Sequence, residues 1–502
     1  EDPRGGYGHV YHKTAAMLYN LQYTLGDELF LNAIKNYFDT WKIAHPYFED
    51  FKKSIIQYTK VDLNWFFDQW LESTKDIDYA VKSSKKIKDN PKSYEITFKR
   101  KGEMQMPIDF RVLDKAGNTK DYHIPNTWFV KKTNATVLKK WYGFAEIYPK
   151  YSVIIQSMHG IKDVIIDPSN RLADSYMIDN SLHKNISIEL EDFLWSLPSW
   201  RKYELTVRPR FAYNGFDGIK TGIRLIGDYM DYHHKFDGTF WINTGFNQIE
   251  EHLPHENIPY YIESNTLFQE SKNINGYDRI SYQLSYETGL NKINRGLSFH
   301  SSSRKLDGLN LHSIGFKQIA SSGADLIYLE FKALNRPKNE HFAYLLNPQE
   351  TFWRQDNWNN TINVGIQHQY KYFKGDGLID LSIRSSSLGS DYEYSQLSLK
   401  ALNNFNIAKF KLKTRIFSQH ATGTNIAPES KLYAAGANPE QMMENMFTRS
   451  TGLISRDWLS YSSELNHFHM GGGLNLRAYS GYIMPEGENI QQILSFNGTS
   501  GA

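Results

Sequence analysis

The feature that most constrains the fold is a two-residue alternation that begins at Lys202 and recurs through the rest of the chain. In its first segment, apolar or aromatic residues alternate with polar ones: Tyr203, Leu205, Val207, Pro209, Phe211 and Tyr213 against Glu204, Thr206, Arg208, Arg210 and Asn214. Successive side chains of a β-strand point to opposite faces, so each such segment predicts a strand with one apolar and one polar face. About a dozen segments of this kind follow, many about ten residues long.

Two architectures can use strands of this kind. In a soluble antiparallel sheet, so many strands need a large apolar surface to form a core. Charged and amide residues fill one face here so completely that too little apolar surface is left. A water-filled barrel lumen needs that polar face, and tyrosines near the strand ends are typical of an interfacial girdle. No stretch approaches 18 apolar residues, so a membrane-spanning helix is not expected. The alternation predicts an incomplete transmembrane antiparallel β-barrel over residues 201-502; the alternative is a large soluble β domain.

The first 76 residues have a helical pattern instead. Apolar residues recur at spacings of three and four in the first helix and Gly26 ends it: Met17, Leu18, Leu21 and Leu25. A second apolar stripe follows in Phe30, Ile34, Tyr37, Phe38 and Trp41. Pro46 then separates a third helix with Phe48, Phe51, Ile55 and Ile56. These residues predict a compact helical layer.

Four motifs in this layer carry a family resemblance. They are V-Y-x-K at Val10–Lys13, L-G-x-x-x-F at Leu25–Phe30, W-x-x-x-H-P-x-x-x-D-F at Trp41–Phe51 and D-L-x-W-F-F-x-Q-W at Asp62–Trp70. Together they resemble the C-terminal half of the catalytic domain in the gluzincin family of zinc aminopeptidases that includes membrane alanyl aminopeptidase and leukotriene hydrolase. The resemblance implies a metallopeptidase that hydrolyses peptides with zinc as cofactor.

Tyr11 is the candidate catalytic residue. In the resembled family, the matching tyrosine donates its hydroxyl to the oxyanion that forms when the peptide carbonyl is attacked. A phenol has an ordinary pKa near 10, so it stays protonated at neutral pH and can donate a hydrogen bond to developing negative charge. The alternative is a tyrosine at a helix start that packs on a neighbouring element. His12 stands where the family usually has Glu.

The sequence lacks the H-E-x-x-H motif that zinc catalysis of this kind requires. The histidine groups that it does contain have unsuitable spacings: His233-His234, His252 with His255, and His467 with His469. We expect exposed or interfacial histidines there, and no metal bound by this chain. Since the sequence opens inside a motif and without Met, we expect a fragment of a parent protein that supplies the zinc site.

Residues 77-180 predict a β-sandwich. The segments Tyr94–Arg100 and Pro107–Leu113 alternate, Ala116-Gly117-Asn118 makes a turn, and Ile165–Pro168 reads I-I-D-P, which resembles the end of the supporting domain that follows the catalytic helices in the same family. No chemistry is expected in this domain. Residues 181-200 concentrate apolar and aromatic residues around two acids and Pro198, as in a linker or a short interfacial segment.

A glycine-rich motif near the end of the alternating region adds a second resemblance. Gly471–Tyr479 is similar to the G-G-x-x-x-x-R-G-Y loop of the outer-membrane assembly and translocation barrels, which implies that Arg477 lies in the lumen and contacts polar wall residues. Ala478 replaces the usual glycine, which has more conformational freedom. An ordinary turn is the alternative reading of this motif.

Composition limits the possible partners. Formal net charge +2 argues against a nucleic-acid surface that works by bulk charge, and the absence of cysteine excludes a disulfide scaffold and cysteine-based zinc sites.

Three functions remain. The first is a zinc metallopeptidase, or aminopeptidase, anchored in the bacterial outer membrane with its peptidase-like part in the periplasm. The second is an outer-membrane barrel for protein insertion or transport, whose peptidase-like domain is not catalytic. The third is a soluble binder of carbohydrate or peptide. Expected partners are peptide substrate, outer-membrane lipid and other outer-membrane proteins.

Overall fold

The chain has helices near its N-terminus and is mostly β-structure thereafter, so the prediction of a mixed chain dominated by strands is confirmed. It divides into two compact units, Glu1–Ser187 with Leu197–Tyr203, and Ile188–Ser196 with Glu204–Ala502. The computed structural model describes residues 8–143, 147–190, 199–214, 218–230, 233–246, 279–306, 309–320, 322–335, 357–407, 409–427, 430–433, 497–498 and 500–501.

The first unit opens with a helical layer. A π-helical turn at Gly8–Lys13 leads into four α-helices: α1 Thr14–Leu25, α2 Asp27–Trp41, α3 Phe48–Thr59 and α4 Asn64–Leu71. Gly26 ends α1 at φ +82°, a left-handed conformation that glycine adopts without strain. At the start of α3, the backbone N–H of Tyr47 donates a 2.9 Å hydrogen bond to Asp50, which satisfies one of the amides that a helix start leaves without a partner.

Aromatic side chains hold α2, α3 and α4 together. Phe67 of α4 lies 5.7 Å from Phe48 and 6.1 Å from Phe51, ring centroid to centroid, and both contacts are edge-to-face. Phe51 makes a similar 5.0 Å contact with Tyr37 of α2. Edge-to-face pairs add about 0.5–1.5 kcal/mol beyond the area that they bury. Among the helices of the described residues, none is both long enough and apolar enough to cross a lipid bilayer.

Two sheets, one antiparallel and one mixed, complete the first unit. One has the order β1-β2-β6, and the other has the order β5-β4-β3-β7, in which β4 and β5 run parallel. The seven strands are β1 Tyr79–Ile87, β2 Asn90–Arg100, β3 Ile108–Asp114, β4 Thr119–Ile124, β5 Thr136–Val137, β6 Lys150–Gln156 and β7 Ile161–Ile166. The turn predicted at residues 116–118 joins β3 to β4, with Gly117 at φ +91°.

The core of the first unit joins the sheets to the helical layer. Phe98 of β2 and Phe110 of β3 are fully buried, and their ring centroids are 4.7 Å apart. Phe110 also stacks on Tyr122 of β4 at 5.0 Å. Leu21 and Ile55 from the helices belong to the same buried cluster. The helical layer and the sheets therefore share one apolar core, which fixes the position of α1.

Within the described residues, the large sheet has 13 strands. Their order follows the chain from β8 to β19 and ends with β22, and the neighbours whose register is described pair antiparallel. Its strands β9 to β19 are 10 to 16 residues long. The sheet contains β8 Asn185–Leu190, β9 Lys202–Asn214, β10 Gly218–Tyr229, β11 His233–Asn243, β12 Ile280–Gly289, β13 Leu297–Leu306, β14 Leu309–Ile319, β15 Asp325–Asn335, β16 Trp358–Tyr372, β17 Gly375–Ser386, β18 Glu393–Ile407, β19 Phe410–Asn425 and β22 Ser500–Gly501. A separate short pair is formed by β20 Leu432–Tyr433 and β21 Asn497–Gly498.

The large sheet is open within the described residues, since β8 and β22 form its two edges and do not pair with each other. The sequence predicted a closed barrel for this region. The structure supports the coarser statement, a large antiparallel sheet of consecutive strands, and closure stays a prediction.

Candidate functional site

The candidate catalytic tyrosine lies at the start of the helical layer. Tyr11 belongs to the π-helical turn that precedes α1, and it is 63% exposed. Single π-helical turns widen the backbone locally and often occur at functional sites. Tyr11 therefore has an accessible phenol on an element whose far end is fixed to the core, where Leu21 and Leu25 of α1 are buried.

A buried polar network fixes α1 to the sandwich. The hydroxyl of Tyr23 in α1 accepts a 2.7 Å hydrogen bond from the backbone N–H of Asp109 in β3. Lys131 donates to the backbone carbonyl of Tyr23 at 2.6 Å and to the Asp109 carboxylate at 2.7 Å. The other oxygen of that carboxylate lies 2.7 Å from Nδ1 of His123. Asp109 and Lys131 together thus connect α1, the strands β3 and β4 and the loop that contains Lys131.

Charge balance in this network is set by opposing effects. Burial raises the pKa of Asp109, but the hydrogen bond from His123 and the positive charge of Lys131 outweigh it, so the pKa of this carboxyl lies below its ordinary value. Burial also raises the pKa of Tyr23 well above 10. The Tyr23 hydroxyl is therefore neutral and the Asp109 carboxylate charged at neutral pH. The arrangement suits a structural role, since each polar group is already occupied.

A second buried carboxyl stands apart from this network. Asp174 accepts hydrogen bonds from the backbone N–H groups of Tyr79 at 2.9 Å and Tyr176 at 2.9 Å, and from the Asn180 amide at 3.1 Å. Burial, and next the negative charge of Asp78, raise the pKa of Asp174 to about 7. A group with this pKa titrates near neutral pH, yet its hydrogen bonds all go to the framework of the first unit. Sequence alone gave no signal for it.

No group of three or more His, Cys, Asp or Glu side chains suited to a metal ion occurs in the part of the chain that the structure describes. His233 and His234 have ring centroids 6.4 Å apart, and Nδ1 of His234 lies 2.6 Å from the Tyr286 hydroxyl. His252, His255, His467 and His469 lie outside the described residues. The described residues do not fit a catalytic zinc, and no hydrolytic step is assigned through one.

The large sheet of the second unit has an inverted distribution of polarity. In β16, Asn363 is 7% exposed, whereas Ile362 and Val364 on either side are 44% and 46% exposed. Asn359 and Thr361 are buried as well, while Ile366 is exposed. The alternation predicted from the sequence is therefore present in this strand, with the polar residues buried and the aliphatic residues exposed.

The exposed aliphatic residues form continuous rows across neighbouring strands. One row crosses β15 to β18 through direct cross-strand partners, namely Leu329, Val364, Ile383 and Leu397. All four side chains are exposed. A water-soluble sheet buries such rows, and a contiguous exposed apolar surface of this size normally marks an interaction with a protein or a membrane.

The opposite face carries a network of polar contacts. Nε of Arg384 donates a 2.7 Å hydrogen bond to Oδ1 of Asn363, its cross-strand partner. Gln367 donates to Asp380 at 2.9 Å. Farther along the sheet, Nε2 of His300 lies 3.5 Å from Oε1 of Glu330. The first two pairs join neighbouring strands, whereas His300 of β13 and Glu330 of β15 lie on opposite sides of β14. Polar contacts on this face therefore link several strands.

The segment that precedes β20 lies against this polar face. The Ser430 hydroxyl is 2.7 Å from the Tyr394 hydroxyl, and Tyr394 also donates to Oδ1 of Asn359 at 3.0 Å. Gln419 donates to the backbone carbonyl of Ser430 at 3.2 Å. Ser430, Tyr394, Asn359 and Gln419 are all buried. A chain segment is thus held against the polar face of the sheet by polar contacts to several strands.

Two sequence predictions cannot be placed. Arg477, with the Gly471–Tyr479 loop, lies outside the described residues, as do residues 191–198 of the predicted linker. The earlier part of that linker contains β8, in which Ile186, Ile188 and Leu190 are exposed. Both the linker and the interfacial interpretation stay predictions.

No family model matches this chain, and no curated protein matches it either. Among solved structures, a crystal structure of Legionella pneumophila aminopeptidase A in complex with aspartic acid is similar over 30% of this chain and 16% of that chain, with 17% sequence identity and a TM-score of 0.22. The chain therefore spans a small part of that aminopeptidase's length. At this TM-score the likeness carries no argument about function.

Proposed function

We propose that this chain is part of a bacterial zinc metallopeptidase of the aminopeptidase type, held in the outer membrane by a β-barrel that its large sheet forms. The observation that carries the proposal is the inverted polarity of that sheet, in which Asn363 is buried between the exposed residues Ile362 and Val364. Lipid chains are as apolar as these side chains and cover them, while the inner face contacts water and polar segments.

Closure into a barrel follows from the same physical argument. In hydrocarbon, an unpaired backbone N–H or C=O costs several kcal/mol, so an open sheet edge is not tolerated there and a barrel removes both edges. The strands β9 to β19, at 10 to 16 residues, are long enough to cross a bilayer when tilted. Consecutive antiparallel strands in chain order are the topology that up-and-down barrels use.

The peptidase part of the proposal rests on the four motifs of the helical layer and on Tyr11. In a protein that combines this sequence with an H-E-x-x-H helix, Tyr11 would donate its hydroxyl to the carbonyl oxygen of a bound peptide as negative charge develops there. The exposed position of Tyr11 in the π-helical turn supports this role. Zinc would supply the Lewis acid, and the peptidase-like part would lie in the periplasm.

A second candidate is an outer-membrane barrel for protein insertion or transport with a non-catalytic peptidase-like domain. It is favoured by the contacts of Ser430, because they show a chain segment held against the polar face by Tyr394 and Gln419. In this function, other outer-membrane proteins would be the partners. Activity toward peptides separates the two candidates, whereas the membrane assignment is common to both.

The absence of cysteine allows a direct test of the membrane assignment. Single cysteines at Val364 and Asn363 would carry spin labels in the full chain reconstituted in lipid vesicles. We expect the label at Val364→Cys to collide more with oxygen, which concentrates in lipid, and the label at Asn363→Cys to collide more with a water-soluble nickel complex. Heat-modifiable migration on gels should accompany this result. Equal accessibility of both labels to the nickel complex, in a chain that stays soluble without detergent, would refute the proposal.

A further inference from the structure

The outer face of the sheet β1-β2-β6 in the first unit carries a row of lysines. Lys99 of β2 and Lys150 of β6 are direct cross-strand partners. Lys82 lies on the neighbouring strand β1, in the irregularity between Val81 and Ser83, two residues after Ala80, the cross-strand partner of Lys99. Phe98, which flanks Lys99, is fully buried on the core side. The three lysines therefore lie side by side on the face that points away from the core.

The positive charges of this row act on one another. The positive charge of Lys150 lowers the pKa of Lys82, and the charges of Lys99 and Lys85 contribute in the same direction. None of the three lysines of the row forms an ion pair within the described part of the chain. Like charges on directly opposed strand positions destabilise a sheet, so a row of this kind is relieved when an anion binds.

A row of hydroxyl groups adjoins the lysines. Thr97 is the cross-strand partner of both Ser83 and Ser152, and its hydroxyl lies 2.9 Å from the hydroxyl of Ser152. Hydroxyl and ammonium groups are both donors to phosphate oxygens. Farther along the face, Glu95 lies opposite Lys85. The lysine end of the face is thus a flat donor surface, with the acidic side chain at a distance along the strands.

The surrounding sequence concentrates the same charge. Residues 77–156 contain 16 Lys and Arg against 8 Asp and Glu, whereas the whole chain has 57 against 55. This segment is therefore net positive, whereas the rest of the chain has more acidic than basic residues. On the same face as Lys150, Ile154 is 64% exposed and adds an apolar contact. A flat, basic face with hydroxyl donors and an exposed aliphatic side chain is complementary to a lipid surface with phosphate head groups.

We propose that the face formed by Lys82, Lys99, Lys150 and the adjoining hydroxyls binds the phosphate groups of anionic phospholipids. This site is separate from Tyr11 and from the large sheet, and it goes beyond the proposed function. Each lysine near an anionic lipid surface contributes about fivefold in affinity. The triple variant K82Q/K99Q/K150Q should therefore bind anionic lipid about a hundredfold more weakly than the parent chain.

The test uses the full chain in maltoside micelles with added phosphatidylglycerol or, separately, phosphatidylcholine. Affinity is measured with fluorescent lipid, and lysine acetylation rates are measured by mass spectrometry. Phosphatidylglycerol should slow acetylation of the three lysines about fivefold or more, with no such effect from phosphatidylcholine. The matched control K35Q/K53Q/K75Q replaces three exposed lysines of the same unit and should leave binding unchanged. Circular dichroism shows whether both variants fold. The acetylation experiment uses the parent sequence, so it tests the proposal even if a variant fails to fold.

Four results would overturn the proposal. Equal protection by phosphatidylcholine would mean that charge is not recognised, and equal loss of affinity in both triple variants would mean that these lysines are not the site. Protection by inorganic phosphate at the same concentration would make free phosphate the ligand. Stronger protection by a single-stranded oligonucleotide would assign the face to nucleic acid. None of these results depends on whether the large sheet enters a membrane.

Discussion

Ile383 of β17 and Leu397 of β18 are direct cross-strand partners, and their side chains are 55% and 47% exposed. Burial of apolar surface contributes roughly 25 cal/mol for each Å² removed from water, so a soluble sheet would place such a pair inside. The next residue of β18, Ser398, faces the polar side and is partly buried. The pair therefore belongs to an exposed apolar surface, the one that the proposed function places in contact with lipid.

A charge placed on this surface should prevent stable insertion. We expect Leu397→Arg to destabilise the chain in lipid vesicles by up to about 2–4 kcal/mol, because the guanidinium must enter hydrocarbon on the exposed apolar face of β18. Urea titration of the vesicle-bound chain, followed by tryptophan fluorescence, measures the change. Ser398→Arg is the matched control, since it adds the same group one residue away on the polar face. Equal destabilisation by both variants would contradict the assignment of faces.

The Asp109 network predicts a large difference between two carboxylates of the first unit. Asp109→Ala removes the carboxylate that pairs with Lys131 and His123, leaves the Lys131 charge with only the Tyr23 carbonyl, and should cost about 3–5 kcal/mol of unfolding free energy. Asp121→Ala removes the carboxylate that binds Arg111 in an exposed pair and should cost about 0–1 kcal/mol. Hydrogen exchange of peptides from β3 and β7 in increasing urea measures both. Similar costs would show that the network does not hold the unit together.

The stability of the first unit should fall as the pH rises. The folded-state pKa of Asp174, about 7, lies above its ordinary value of 3.8, because burial, and then the charge of Asp78, disfavour the carboxylate. The stabilisation is therefore complete below about pH 4 and is lost as the pH rises to about 7, with a total on the order of 4 kcal/mol from this group. Hydrogen exchange of the Tyr79 amide, which donates to Asp174, reports the loss.

Two variants test the origin of this pH dependence. Asp174→Asn removes the titrating group. The slope of the unfolding free energy against pH, between about pH 4 and 7, should therefore decrease by the amount that corresponds to about one bound proton. Asp89→Asn alters an exposed carboxyl of the same unit and should leave the profile unchanged. An unaltered profile in Asp174→Asn would mean that another group is responsible.

Local patterns in the sequence were sufficient to predict several elements. Gly26 ends α1, residues 116–118 form the turn between β3 and β4, and the alternation around Asn363 places opposite polarities on the two faces of β16. Each of these features depends on backbone conformation over a few residues, which the residue types determine directly. The polarity pattern also predicted which face is polar, although it could not show whether the sheet closes.

Contacts between distant segments were not predictable in the same way. Tyr23 and Asp109 are 86 residues apart, and nothing in either local sequence indicates that the Tyr23 hydroxyl accepts the Asp109 amide. The pKa of Asp174 depends on burial and on Asp78, which again requires the tertiary fold. The lysine row also depends on register, since Lys99 and Lys150 become neighbours only when β2 pairs with β6.

Tyr11 supports one further prediction, in a protein that combines this sequence with an H-E-x-x-H helix. Tyr11→Phe removes a single hydroxyl and should lower peptide turnover by about a hundredfold or more, since one lost oxyanion donor has this effect in other hydrolases. KM and zinc content should change little, because the hydroxyl would act on charge that develops in the transition state. Tyr19→Phe in α1, also an exposed tyrosine, is the control and should retain full turnover. Near-normal turnover of Tyr11→Phe would reject the catalytic role and favour the transport function, in which the helical layer binds without catalysis.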